Sequence, residues 1–420
     1  MSHQSDPADH DGTDPGRAAL DALAVTAIGC RVVVGLVGLD AGQRADLAAS
    51  WAWCEPVLER RPRSECDAVA VLGGGAADDA APADADADAD GPVLVVADTL
   101  DQLAETVTTV VTQLAIDQRR DDLLLLHAGG VADPVTGAVV AYVAPSGHGK
   151  TTASRALGRS LGYVTDETVA VGDDGVVVRY PKPLSVRGPA GPGASRPKAQ
   201  VSPDAAGLRR APDGPLTLAR VVLLDRDPAA TEVTVGPIGL AEAAARLFPQ
   251  ISYLGARTRP LRRLQALLER TGGLLVVRYA EAATLEPTVR ALLAAPTSAA
   301  TPRGEGPGEA TVALDAHRAS SGAPSDVPGG GALVATAVDD WVADAGSVVV
   351  LHRDSLRTVS GIGVAVWHAA RAGRTLDEAV AAVVREHGLP GAGPEAGARA
   401  RELVRAAVDE LAAAGLVRQH

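Results

Sequence analysis

One stretch constrains the fold more than any other: GAVVAYVAPSGHGKTTASRALG, residues 137–158. An apolar run reading as a strand meets a short loop, and a helix-like segment follows at once. A loop that cradles phosphate needs inward backbone N–H groups, a helix N-terminus aimed at the anion, a lysine for the β- and γ-phosphates and a hydroxyl for Mg2+. Ser146, Gly147, His148, Gly149, Lys150, Thr151 and Thr152 supply this set, His148 only through its N–H. The pattern is G-x-x-x-x-G-K-[ST] with Ala144 at the first glycine, where alanine serves if φ stays negative. A plain glycine-rich turn with an exposed lysine is the alternative. The order strand, loop, helix favours nucleotide binding.

Two acids follow. Asp166 lies about sixteen residues beyond Lys150, and a helix of about eleven residues spans roughly 16 Å. YVTDETVAV (163–171) is expected to return as a strand beside the loop strand and deliver Asp166 and Glu167 near the phosphates. Acids there hold Mg2+ or take a proton from an incoming hydroxyl. Thr151 and Asp166 are the metal candidates; Asp166, Glu167, Lys150 and His127 are the catalytic ones. An acidic turn at a strand end is the simpler alternative. In YPKPLSVRG, Lys182 and Arg187 are either neutralisers of phosphate charge or solvated surface cations. His127 either orients phosphates or a water, or is a structural histidine on a strand.

These residues carry a resemblance. HAGGVAD (127–133), the loop 144–152 and LGYVTDETVAV (161–171) together resemble the catalytic domain of the HPr kinase/phosphorylase family, whose fold is related to phosphoenolpyruvate carboxykinase. The resemblance spans about 120–290 and is strongest at 127–171. It implies an α/β (α+β) P-loop fold, ATP and Mg2+ as cofactors, Lys150 on the phosphates, Thr151 on Mg2+ and Asp166 as base or metal partner. The implied activity is an ATP-dependent, serine-kinase-like phosphotransfer to a hydroxyl. Ala144 and Glu167 depart from the family pattern. No segment matches the one that engages HPr, so HPr is not the expected acceptor.

A second unit follows a stretch rich in Pro, Gly, Ser and Ala at 296–334, which reads as a linker. In 335–420, SVVVLH and LRTVS are strand-like, and 362–371, 376–387 and 395–414 are helix-like. SGIGVAVWHAARAGRTLDE and ELAAAGLV resemble PqqD-like winged-helix domains, which implies recognition of a precursor peptide. LRTVS is the expected exposed edge strand, able to pair with an extended peptide, and Trp367 the expected core residue. Self-association and DNA binding are the other uses of such a fold. The interleaved acids around Arg353, Arg357, Arg371 and Arg374 weigh against DNA.

Composition bounds the rest. The net charge of −13 argues against a general nucleic-acid binder. Residues 1–17 read as a disordered tail and 18–118 as an N-terminal α/β region interrupted by an acidic loop at 73–92. Within it, 30–39 reads as a strand, 40–59 as a helix with Asp40 near its cap, 92–98 as a strand, and the segment from Thr99 as a helix with a Thr99/Gln102 capping box. The P-loop domain is expected over 119–295, with LAEAAARLFPQ and PLRRLQALLERTG as helices and 218–227 as a buried strand. Cys30, Cys54 and Cys66 form neither a disulfide framework nor a zinc site. No run suits a signal peptide or a membrane span, so a cytoplasmic location is expected. The leading expectation is a kinase of peptide maturation, with an oligomer or a monomer both open; a non-catalytic nucleotide-binding adaptor is the second and a DNA-binding regulator the third.

Overall fold

The computed structural model describes residues 19–73, 91–145, 149–186, 198–295, 332–344, 346–353 and 355–419. The tail 1–17, nearly all of the acidic loop 73–92 and of the linker 296–334, and Ser146, Gly147, His148 and Arg187 lie outside them. The chain is mixed α/β, with several sheets and helices. It divides into two units.

The first unit holds 1–236, 250–253 and 275–296. Its N-terminal part is a five-stranded sheet in the order Val57–Pro62, Ala19–Ala27, Cys30–Val37, Ala68–Leu72, Val93–Ala97. Ala19–Ala27 and Cys30–Val37 form a hairpin across Ile28 and Gly29, both at positive φ (50° and 74°), as a tight two-residue turn between twisted strands requires. Helix Leu100–Arg119 covers the sheet, burying Leu103, Val107 and Val111 against Val25, Val32 and Val34. Thr99 caps it by accepting from the Gln102 amide at 3.3 Å; only this half of the expected box forms.

The helix expected over 40–59 is shorter. It spans Ala41–Ser50 behind a complete Asp40/Gln43 capping box, and Val57–Pro62 is an edge strand paired with Ala19–Ala27. No residue of VLERRP is buried, as suits a strand at a sheet edge.

A seven-stranded sheet carries the loop. Its order is Arg209–Arg210, Gly162–Thr165, Ala128–Ala132, Ala138–Val143, Thr217–Arg226, Leu274–Tyr279, Thr234–Ile238. Ala138–Val143 lies between an antiparallel neighbour (Ala128–Ala132) and a parallel one (Thr217–Arg226) and is buried along nearly its whole length. The returning strand Gly162–Thr165 is therefore not beside the loop strand, as its sequence suggested. Ala128–Ala132 separates them and pairs antiparallel with both, so Gly162–Thr165 runs in the same sense as the loop strand and ends at the same edge.

Two apolar runs that read as single strands are each broken in two. Leu124–Leu126 and Ala128–Ala132 flank His127; Gly162–Thr165 and Val169–Val171 flank Asp166–Thr168. The first member of one run and the second of the other pair in a separate four-stranded sheet, Val177–Val178, Val169–Val171, Leu124–Leu126, Ile251–Ser252. Both chains thus leave one sheet and enter another at the same level.

The second unit holds 237–249, 254–274 and 297–420. A three-stranded antiparallel sheet runs Asp340–Ala343, Ser347–His352, Ser355–Ser360, with Ser355–Ser360 at an edge. Helices Ile362–Arg371, Leu376–His387 and Ala396–Ala413 pack together over a fully buried Trp367, and Leu333–Ala335 pairs with Val417–Gln419. Thr375 and Glu378 form a capping box at the second of these helices.

Helices Leu240–Leu247 and Pro260–Arg270, assigned from sequence to the 119–295 domain, belong to this second unit. They pack on Ser347–His352 and Asp340–Ala343 respectively. The buried Asp340 carboxylate accepts from the Arg262 amide at 3.1 Å in the first turn of Pro260–Arg270, and Asp344 accepts from the Leu240 amide at 3.1 Å. The 18–118 region, in turn, shares one unit with the loop-bearing sheet instead of standing apart. No helix among the described residues is long and apolar enough to cross a membrane.

Candidate active site

The loop strand ends at Val143, and helix Lys150–Leu157 begins directly after Gly149. Gly149 has φ +96°, a conformation L side chains rarely adopt, and a Cβ there would stand 3.2 Å from the Tyr279 hydroxyl. Gly149 at the N-cap has no side-chain oxygen, so no side-chain cap forms there among the described residues.

A buried relay seats this first turn. The Ser154 hydroxyl donates to the Lys150 carbonyl at 3.0 Å, which leaves the Tyr142 hydroxyl to donate to Ser154 Oγ at 2.7 Å. The Tyr142 ring lies over Gly129, where a Cβ would approach Cε2 to 2.2 Å. The glycine of the HAGG stretch thus makes room for the tyrosine that supports the helix.

Lys150 is largely buried and its Nζ donates to the Ala144 carbonyl at 2.7 Å, joining the two ends of the loop. Burial lowers its pKa, and the Glu167 and Asp166 carboxylates oppose that shift. The Thr151 hydroxyl donates to Asp166 Oδ2 at 3.0 Å. The break between Gly162–Thr165 and Val169–Val171 places Asp166 and Glu167 here, opposite the break that carries His127. The His127 amide donates to the Gln250 carbonyl at 2.7 Å. Burial and the nearby Lys150 charge hold the His127 imidazole below its ordinary pKa, so it is neutral at pH 7.

Lys182 is the residue whose role the sequence did not convey. It is not a solvated surface cation. Its side chain is 1% exposed, and Nζ lies 3.0 Å from Asp166 Oδ1, 3.0 Å from Glu167 Oε2 and 3.0 Å from the Pro183 carbonyl. Three ammonium protons meet three acceptors. Burial works against its charge, but the two carboxylates outweigh that and raise its pKa. Burial likewise pushes Glu167 upward, and Lys182 outweighs it and keeps this carboxyl below its ordinary range. The Tyr163 hydroxyl adds a contact to Asp166 Oδ1 at 3.3 Å.

These groups line a cleft of about 320 Å³, with Arg155, Ser185, Val186 and Lys198 completing it. Lys198 also reaches Glu105 on helix Leu100–Arg119, with 3.6 Å between Nζ and Oε1 and 2.9 Å between its amide and Oε2. The N-terminal region therefore braces the cleft wall, which its sequence gave no reason to expect. Lys150, Arg155, Lys182 and Lys198 outnumber Asp166, Glu167 and the Glu105 paired with Lys198, so the cleft favours an anion. The described members of the sequence-derived set, His127, Gly149, Lys150, Thr151, Thr152, Asp166 and Glu167, all line it. Ser146, Gly147 and His148 lie outside the described residues.

Oxygen donors from Thr151 and Asp166, side by side at the mouth of a helix, fit a hard divalent cation such as Mg2+. Among the described residues, no cluster of three or more His, Cys, Asp or Glu side chains forms a cage for a metal by itself. Cysteine chemistry is not built here: burial pushes the Cys54 thiol up to about 12, and all three cysteines are free. Compared with known proteins, the chain matches no family model and no curated protein.

Proposed function

We propose that the first unit is an ATP-dependent kinase domain of the HPr-kinase-like, P-loop class, and that the second is a PqqD-like module that holds a precursor peptide carrying the acceptor hydroxyl. The observation that carries the reading is the Thr151–Asp166 contact at 3.0 Å beside a lysine that opens an uncapped helix. A loop threonine and a strand-end aspartate are the pair that holds Mg2+ in P-loop nucleotide enzymes. Lys150 and the amides of the first turn would bind the phosphates, with Thr151 and Asp166 holding the ion. Bound Mg2+ would neutralise charge on the transferring phosphoryl group. Asp166 would orient the acceptor hydroxyl, and neutral His127 would offer a ring nitrogen to a phosphate or a water.

In the second unit, support comes from a groove of about 590 Å³ between the edge strand Ser355–Ser360 and helix Ala396–Ala413. Leu356, Val359, Leu403, Ala407 and Leu411 give it apolar walls beside strand backbone. An extended peptide pairing with the edge would set alternate side chains into that groove. Tethering would raise the local concentration of the acceptor.

The nucleotide-binding adaptor remains as a second reading, favoured by one observation. Lys182 already occupies one oxygen of each carboxylate, which leaves less of Asp166 and Glu167 to orient an acceptor hydroxyl. Transfer of label from γ-labelled ATP to a precursor peptide separates the two. The kinase reading expects transfer, reduced about a hundredfold or more in Lys150→Ala and Asp166→Asn. Transfer at the wild-type rate in both variants removes the site from the chemistry. Nucleotide binding without transfer leaves the adaptor.

A further inference from the structure

Lys182 decides what the two carboxylates can attract. Without it, Asp166 and Glu167 would form a paired-acid site that draws a divalent cation from solution. With it, one ammonium lies 3.0 Å from an oxygen of each acid, and the second oxygen of Asp166 accepts from Thr151. Lys150 adds a further positive charge in the same cleft. The two acids and two lysines cancel, so a cation arriving alone meets no net attraction and two like charges. Lys182 cannot swing aside cheaply. It is enclosed, and its third proton is held by the Pro183 carbonyl. Phosphates meet the opposite situation, with an uncapped helix start, Lys150, Arg155 and Lys198 around them.

We propose that Lys182 makes this site accept nucleotide before metal: by holding Asp166 and Glu167 in a buried ion triad it withholds them from free divalent cation, and the ion enters only with the phosphates that supply its remaining ligands. The inference rests on the nucleotide-binding reading and adds an order of events to it. Lys182 is a positioning residue here, since its contacts are to the acids.

The test uses Mn2+ as the probe, with free ion counted by electron paramagnetic resonance. The full chain is titrated with and without a non-hydrolysable ATP analogue. The Asp166→Asn variant is titrated in parallel, so that ion bound by acidic residues elsewhere is subtracted. The wild-type chain should bind Mn2+ at least about tenfold more tightly with the analogue than without it, from the charge the phosphates bring. Lys182→Met should raise affinity for Mn2+ alone by about tenfold or more, and Lys182→Arg, which keeps the charge, should leave it weak. Equal wild-type affinities with and without the analogue overturn the proposal, as does a folded Lys182→Met variant that binds Mn2+ no better than wild type. Should Lys182→Met fail to fold by circular dichroism, the wild-type pair of titrations and Lys182→Arg decide. An analogue that binds the wild-type chain neither with Mn2+ nor without it sinks the nucleotide reading itself, a result distinct from tight Mn2+ binding in its absence.

Discussion

At the scale of single residues, the cleft is organised by groups that are expensive to bury and mutually satisfied. His127 gives a measurable consequence. Burial and Lys150 depress its folded pKa below 6.5, whereas in the unfolded chain it titrates near that ordinary value. Between the two values the unfolded state binds more protons, so stability falls as pH drops below about 6.5. His368, also depressed by burial, acts in the same direction. Glu167 acts in a lower window, since its depressed carboxyl loses its contribution only as pH falls below its ordinary 4.5. Urea unfolding from pH 7.5 to 5.5 should show a decline in wild type and a shallower one in His127→Asn; identical slopes would contradict a buried, neutral His127. Much at this scale was legible. Residue type and order singled out Gly149, Lys150, Thr151 and Asp166, and the fold brings these four to one cleft. The place of Lys182 was not legible, since nothing in YPKPLSVRG distinguishes a cation facing water from one enclosed with two acids.

At the scale of elements, the candidate site sits where strands change sheets. LLLLHAGGVAD and YVTDETVAV are uniformly apolar except at the breaks, so periodicity reads each as one strand. The polar residues within them, His127 and Asp166–Thr168, mark the transfer from one sheet to the next. The same limit explains Val57–Pro62, which has no period-2 pattern of its own and so reads as the end of the preceding helix. Caps were better guides: Asp40 and Thr99 each start the helix they precede. The groove beside Ser355–Ser360 yields the prediction proper to this level. Leu403 is 45% exposed on helix Ala396–Ala413, so Leu403→Glu should leave thermal stability within about 0.5 kcal/mol of wild type. The same change should weaken precursor-peptide binding about tenfold or more, read by fluorescence anisotropy, because it charges an apolar wall. Unchanged peptide affinity would move the binding site off this face.

At the scale of the whole molecule, the linker at 296–334 suggested a clean division that the fold does not follow. Helices Leu240–Leu247 and Pro260–Arg270 bury Ala243, Ala244, Leu247, Leu261, Leu264, Leu267 and Leu268 within a unit whose sheet lies beyond that linker. Sequence shows where a chain is polar and loose, but not which apolar helix face answers which sheet. In the full chain, Leu264→Ala on Pro260–Arg270 should therefore destabilise the second unit by about 2–5 kcal/mol, as a large-to-small change in a core does. Hydrogen exchange at Asp340–Ala343 should speed up accordingly; unchanged exchange there would refute the assignment. The shared layout has a consequence for biosynthesis. On the ribosome these two helices emerge well ahead of Asp340–Ala343 and Ser347–His352, the strands that cover them, so their leucine faces wait exposed while the linker is translated. That interval is when the nascent chain most needs a chaperone, and slowing elongation across the linker would lengthen it.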